Sequence, residues 1–322
     1  MSENYVLKVT DLSVSYPDGT KAISSISFNV AKGEILGVIG ESGSGKSTLI
    51  NAVLKLVPEN TQIDGSIEYE GNNILKYNNE ELNKIRGKKI GLVFQDTLSA
   101  FDPVMKVGDQ IIERTLDEGL MERADAKQKA VQIMQQLGIT FPDQRMKAYP
   151  HELSGGLRQR AFITMILFQN PEVILLDEPT TALDVIAQAQ LIELIKKLKE
   201  DGISLIFITH DIALASGFCD DLLVLYAGKI SEYGKTKDLL SSPKHPYTAG
   251  LIKATPTLSN YEKSLEPMKG LLPSPKNIPN GCRFWPRCKY ADEICKVEEP
   301  SFKAIDNSHM TACHFPEKVV LT

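Results

Sequence analysis

Apolar and polar residues alternate from Tyr5 to about Ile35, which predicts antiparallel strands, and "DGSIEYEGNNI" reads as a hairpin of the same layer. Three apolar runs, in "GEILGVIG", "VILLDEP" and "SLIFITH", lack that alternation and predict strands buried on both faces, as in a parallel sheet. "STLINAVLKLV" carries its apolar residues on one helical face. From roughly Asp102 to Ala161 the pattern is helical, as in "MKVGDQIIERTL" and "AKQKAVQIMQQLGI", and a further helix is predicted across "DVIAQAQLIELIKKLKED". The charges of "KKLKED" are read as its solvated face. After "YAGKISEYGKTKDLLSSP" prolines recur, and a loop-rich extension is expected from about residue 235 to the C-terminus at 322.

At 322 residues, with 42% apolar and 24% charged residues, the chain can bury a core without help. A net charge of −5 argues against a nucleic-acid binder that works through a bulk basic surface. The start, "MSENYVLKVTDLSVSY", lacks the basic and apolar regions of a signal peptide, and the apolar runs are too short to span a bilayer. A cytosolic setting is therefore expected, in which thiols stay reduced.

"GESGSGKST" fits G-x-x-x-x-G-K-[ST] without mismatch, between a predicted strand and a predicted helix. Gly40, Ser42, Gly43, Ser44, Gly45, Lys46, Ser47 and Thr48 are accordingly the candidate ATP-binding residues. The glycines let the backbone wrap phosphates, and the amides and helix N-terminus supply positive potential. Lys46 is expected on the β- and γ-phosphates and the Ser47 hydroxyl on Mg²⁺. "VILLDEP" ends in Asp177, suited to the Mg²⁺ shell, and Glu178, suited to orient or deprotonate the attacking water. "SLIFITH" ends in His210, a candidate γ-phosphate sensor.

"LSGGLRQR", Leu153 to Arg160, resembles the signature of the ABC ATPase family, and further family elements follow in order. The resemblance covers roughly Val6 to Gly234 and implies a P-loop α/β nucleotide-binding domain: a mixed-sheet core, an antiparallel β subdomain and a helical subdomain at about 102–161. It implies that Tyr16 stacks on adenine, that Gln95 touches Mg²⁺ and water and links to a membrane partner, and that Asp184 of "TALD" lies on a loop crossing to the opposite protomer. Ser154, Gly155 and Gly156 would meet the partner's ATP in a head-to-tail dimer holding two ATP. Leu157 departs from the usual glutamine, which implies altered fine control with hydrolysis retained.

The tail, with "HPYTAGLIKATP", "GCRFWPRC" and a distal "CH", resembles ATP-binding subunits of the oligopeptide/dipeptide branch of ABC importers, as does "FQDTLSAFDPVMKVGDQIIE". That resemblance implies a domain at 1–234 with an extension at 235–322, on the cytoplasmic face of the membrane. The implied partners are a second ATPase chain (a copy or a paralogue), two permease subunits and an extracytoplasmic solute-binding protein. Soluble ABC ATPases of repair or translation usually carry two ATPase sets or a coiled-coil insertion, absent here, and an export ATPase is the other competing class.

Cys282, Cys288, Cys295 and Cys313 are spaced C-x5-C-x6-C-x17-C. Four thiolates suit Zn²⁺ or an iron–sulfur cluster equally well in ligand type. The absence of closely spaced cysteine pairs, with the importer resemblance, favours a [4Fe–4S] cluster over zinc. His309 and His314 are weaker ligand candidates, and Cys219 is read as a core residue.

Overall fold

The computed structural model describes residues 5–94, 99–181, 183–255, 268–306 and 308–321. In chain order its strands are β1 (Tyr5–Ser15), β2 (Lys21–Ala31), β3 (Ile35–Ile39), β4 (Gln62–Tyr69), β5 (Asn72–Asn73) and β6 (Ile90–Val93). They continue as β7 (Val173–Asp177), β8 (Ser204–Thr209), β9 (Asp221–Tyr226), β10 (Lys229–Lys235), β11 (Lys303–Ala304) and β12 (His309–Thr311). The helices begin with α1 (Lys46–Val53), α2 (Asn79–Ile85), α3 (Val107–Asp117), α4 (Arg123–Gln136), α5 (Pro142–Arg145) and α6 (Gly155–Phe168). After them come α7 (Val185–Glu200), α8 (Ile212–Ser216), α9 (Thr236–Ser241), α10 (Pro246–Ala254) and α11 (Glu293–Val297). The chain divides into two units, one of Met1–Lys76 with Ile206–Thr322 and one of Tyr77–Leu205.

In the first unit an antiparallel sheet runs β2-β1-β4-β5, the layer that the alternating pattern predicts. Leu7, Val9, Leu12 and Val14 of β1 are all buried although the step from Val9 to Leu12 breaks the period of two. A register shift at that step, with Asp11 at φ 48°, inserts the extra residue that returns Leu12 and Val14 to the buried face. The unit's other strands run in the order β11-β12-β10-β9-β3-β8. β3 and β9 are parallel, whereas β9, β10, β12 and β11 pair antiparallel in succession. Every residue of β3, β8 and β9 is buried, as their unbroken apolar runs require.

The proline-rich stretch belongs to this same unit and contains short pieces of regular structure. Pro246 opens α10 and the His245 ring caps it, its Nδ1 accepting the Tyr247 amide at 3.1 Å. Glu232, fully buried on β10, accepts from the amides of Lys244 and His245 at 2.5 and 3.0 Å, and His309 Nε2 lies 2.6 Å from the same carboxylate. These bonds tie three stretches of chain together at one buried carboxyl group.

His245 is itself shut away from water, and burial pushes its pKa down to about 3, a hydrogen bond from the ring to the Ala312 backbone offsetting part of the effect. The unfolded chain therefore takes up this proton first, near the ordinary value of 6.5. Its contribution to stability is intact above that pH and declines as pH falls towards 3, by up to about 1.4 kcal/mol per pH unit. His245→Asn keeps an oxygen acceptor at the helix cap. Urea midpoints measured from pH 7 to pH 4 are expected to fall less steeply for that variant than for the unchanged chain.

In the second unit β6 and β7 pair in parallel, and α3, α4 and α6 pack on one another through residues such as Ile111, Ile112, Ala130, Met134, Phe162 and Ile163. α7 buries Leu191, Ile195 and Leu198 along one stripe and leaves most of its charged residues half-buried or exposed.

Candidate active site

The loop from Gly40 to Gly45 joins β3 to α1 and is built on glycine. A Cβ on Gly40 would stand 2.4 Å from the Leu225 carbonyl oxygen. Gly45, at φ 107°, would put one 2.8 Å from Ile23 Cγ2. No other residue fits at either place without moving backbone or core. The Lys46 ammonium turns back and donates to the carbonyls of Gly40 and Glu41 at 2.8 and 3.0 Å. Ser42, Gly43 and Ser47 are exposed, whereas Ser44 is fully buried behind the loop. Tyr16 Oη and Thr48 Oγ1 are 2.9 Å apart, so the aromatic residue and the first turn of α1 are hydrogen-bonded. His210 is exposed directly after β8, the strand beside β3.

In the second unit Asp177 ends β7 and is buried, and Glu178 follows at φ 45°. That backbone conformation is uncommon outside glycine and stores strain at the residue that the sequence suggests for water activation. The Thr181 hydroxyl donates to Glu178 Oε2 at 3.3 Å. Ser154 caps α6, its Oγ accepting the Leu157 amide at 3.4 Å. Asp184 caps α7, its Oδ1 accepting the Ala187 amide at 2.8 Å. Ser154, Gly155, Gly156, Leu157, Asp184 and Ala187 line one cleft of about 360 Å³. The signature and the "TALD" aspartate therefore share a concavity, and both polar side chains serve helix starts. Gln95 lies outside the described residues.

All five cysteines carry free thiols. Cys219 is a buried core residue, as its apolar surroundings predict. In the extension burial raises the Cys282 thiol to about 11 and the Cys313 thiol to about 12, and repulsion from neighbouring cysteines adds to both. Cys313 feels Cys282, Cys288 and Cys295, so the four sulfurs share one electrostatic neighbourhood. Among the described residues no group of three or more His, Cys, Asp or Glu side chains is arranged to hold a metal ion. The two histidines are engaged elsewhere, His309 on Glu232 and His314 Nε2 at 2.9 Å from the Glu298 carbonyl.

The sequence reading missed a contact set on the phosphate loop. The Glu41 amide donates to Tyr247 Oη at 2.9 Å, and the Glu41 carboxylate receives Arg287 through two bonds of 3.0 Å each. Glu41 occupies an unspecified position of the motif, and its partners lie 206 and 246 residues away. The one available hint was an arginine among the clustered cysteines.

Comparison with known proteins accords with this geometry. A family model described as "ABC transporter" matches residues 23–181, and one described as "Oligopeptide/dipeptide transporter, C-terminal region" matches residues 231–295. The oligopeptide transport ATP-binding protein OppD of Salmonella typhimurium is 40% identical over 322 residues, covering 99% of this chain and 96% of its own. The dipeptide transport ATP-binding protein DppD of Lactococcus lactis subsp. cremoris is 40% identical over 315 residues, covering 96% and 90%. A solved structure titled as the dimeric structure of MJ0796, a bacterial ABC transporter cassette, is similar with TM-score 0.64 and 29% identity over 71% of this chain and 98% of that one. The intact phosphate loop, the Asp177–Glu178 strand end and the signature cleft thus sit in a chain that belongs to the ABC transporter ATPases, in the group that carries the oligopeptide/dipeptide transporter C-terminal region.

Proposed function

We propose that this ATPase energises an importer of oligopeptides or dipeptides, bound peripherally to the cytoplasmic face of a membrane. The observation that carries the reading is similarity to peptide-transport ATP-binding proteins along almost the whole chain, C-terminal region included. Residues 1–234 act as the ATPase domain, with a helical subdomain at about 102–161, and 235–322 as the extension. A second ATPase chain, a copy or a paralogue, completes a head-to-tail dimer, an assembly supported by the dimeric cassette among its structural relatives. Two permease subunits carry the membrane spans; in this chain, among the described residues, no helix is long and apolar enough to cross a bilayer. A solute-binding protein delivers the peptide.

In this reading Tyr16 stacks on adenine and the loop amides with Lys46 hold the triphosphate. The Ser47 hydroxyl, the Asp177 carboxylate and Gln95 are hard oxygen donors that suit Mg²⁺, which when bound neutralises phosphate charge. Glu178 takes the proton of the attacking water, and His210 responds to the γ-phosphate. Ser154, Gly155 and Gly156 close on the partner's ATP, with Asp184 beside them. Copurification from solubilised membranes, read by mass spectrometry, is expected to recover two multi-span proteins, and strains lacking the chain are expected to lose labelled-peptide uptake. Uptake that persists unchanged in such a strain would sink the proposal.

The four extension cysteines are proposed to hold a [4Fe–4S] cluster. The support is the donor set: four cysteines lie in one stretch of chain, with Cys282, Cys288 and Cys295 all near enough to act on the Cys313 thiol, and cysteine thiolates are the ligands of such clusters. Protein purified without oxygen is expected to be brown with about four irons per chain. Colourless anaerobic protein carrying stoichiometric zinc would leave the four-thiolate site and remove the cluster.

A further inference from the structure

The phosphate loop is held from outside the ATPase motifs. Every polar handle of Glu41, the residue after Gly40, is occupied: its carbonyl by Lys46, its amide by Tyr247 and its carboxylate by Arg287. The last two partners come from the proline-rich extension. Tyr247 is fully buried on α10, and Arg287 closes the short turn Trp285–Arg287 directly before Cys288. The Arg287 side chain is only 5% exposed. Its Nε donates to the Lys269 carbonyl at 3.0 Å, and its guanidinium lies 5.7 and 5.9 Å from the ring centres of Tyr226 and Phe284. Tyr226 and Tyr247 in turn pack edge-on with ring centres 4.7 Å apart. A planar fork fixed on so many sides has little freedom left to lose when it binds a carboxylate bidentately.

The charge arithmetic gives this contact a purpose. The loop is expected to receive a triphosphate, and Glu41 sets a negative carboxylate two residues from Gly43. Unpaired, that carboxylate repels the ligand, whereas paired with Arg287 it is neutral overall and also anchors the loop. The extension approaches the same loop again through Leu272, whose Cδ2 lies 3.6 Å from where a Cβ on Gly43 would stand.

We propose that Arg287 and Tyr247 are positioning residues for the phosphate loop, acting through Glu41, so that affinity for ATP depends on the extension being docked. The proposal rests on the chain being an ATPase that binds phosphate at Gly40–Thr48. The test is equilibrium titration of the full-length chain with MgATP and MgADP, alongside steady-state kinetics and thermal melting. Arg287→Gln is expected to weaken MgATP binding about tenfold, within the usual range for coupling between sites. The loss should appear in KM with kcat little changed, and should be larger for MgATP than for MgADP because the repulsion scales with ligand charge. Adding Glu41→Gln to Arg287→Gln removes the stranded carboxylate and is expected to recover much of the affinity, and Arg287→Lys is expected to fall between. Should Arg287→Gln fold poorly, Tyr247→Phe decides: it deletes one hydroxyl, keeps the ring, and is expected to cost a few-fold in MgATP affinity with unchanged melting. Well-folded variants that bind MgATP like the unchanged chain overturn the proposal. So does a loss of affinity that Glu41→Gln leaves untouched and that is equal for both nucleotides. An unchanged chain that binds neither nucleotide counts instead against the ATPase reading.

Discussion

Glu178→Gln is expected to cut steady-state ATP turnover by about 10²-fold or more, the usual contribution of a positioned general base, while leaving MgATP affinity near that of the unchanged chain. The substitution is nearly isosteric. Its amide oxygen can still accept the Thr181 hydroxyl that now lies 3.3 Å from Glu178 Oε2, so the turn after β7 is preserved. Glu178 sits at φ 45°, a conformation kept only where the surroundings enforce it, and glutamine meets the same constraint as glutamate. What is lost is a group able to take a proton from water. Because ATP binds without being consumed, the variant should accumulate as an ATP-bound dimer, visible by size-exclusion chromatography in MgATP. Turnover close to that of the unchanged chain would remove Glu178 from the role of base.

Lys46→Ala is expected to fail earlier in the cycle, weakening MgATP binding itself by on the order of 10²-fold, since charge-assisted hydrogen bonds each contribute roughly 1.5–3 kcal/mol. Lys46 is 4% exposed and spends its ammonium on the carbonyls of Gly40 and Glu41. Alanine takes a donor from both carbonyls and a positive charge from the loop, so the loop loosens and its ligand is held less well. Equilibrium titration separates the two variants, because Glu178→Gln should bind and not turn over while Lys46→Ala should scarcely bind at micromolar nucleotide. Affinity within twofold of the unchanged chain would show that the backbone amides alone hold the phosphates.

The parts legible in the sequence are those in which one residue's neighbours along the chain decide its conformation. Gly45 must be glycine because its φ is 107°, and the unbroken apolar run of β7 announces a strand that delivers Asp177 to its end. Asp184 was legible as a loop residue, and its use as the cap of α7 follows from the same side-chain chemistry. The illegible parts are long-range. Nothing local marks Glu41 as the partner of Arg287, 246 residues on, or Glu232 as the partner of His309, 77 residues on. β12 is three residues long, too short for a period of two to stand out from chance, and its place is set by pairing with β10. Gln95, read from resemblance, falls outside the described residues.

That last pairing has a consequence for how the molecule behaves in a crowded solution. Glu232, Tyr233 and Gly234 of β10 are matched with Thr311, Met310 and His309 of β12, and β12 with a two-residue strand, Lys303–Ala304, whose side chains are exposed. The unit's ordered strands thus finish on a very short rung carrying a lysine, the kind of border to which another chain's backbone adds poorly. Cut back to Lys235, the chain would end its β10 border in a row of bare amides and carbonyls instead. The C-terminal stretch is therefore a selvedge as well as a tail, finishing the fabric so that one molecule does not knit to the next.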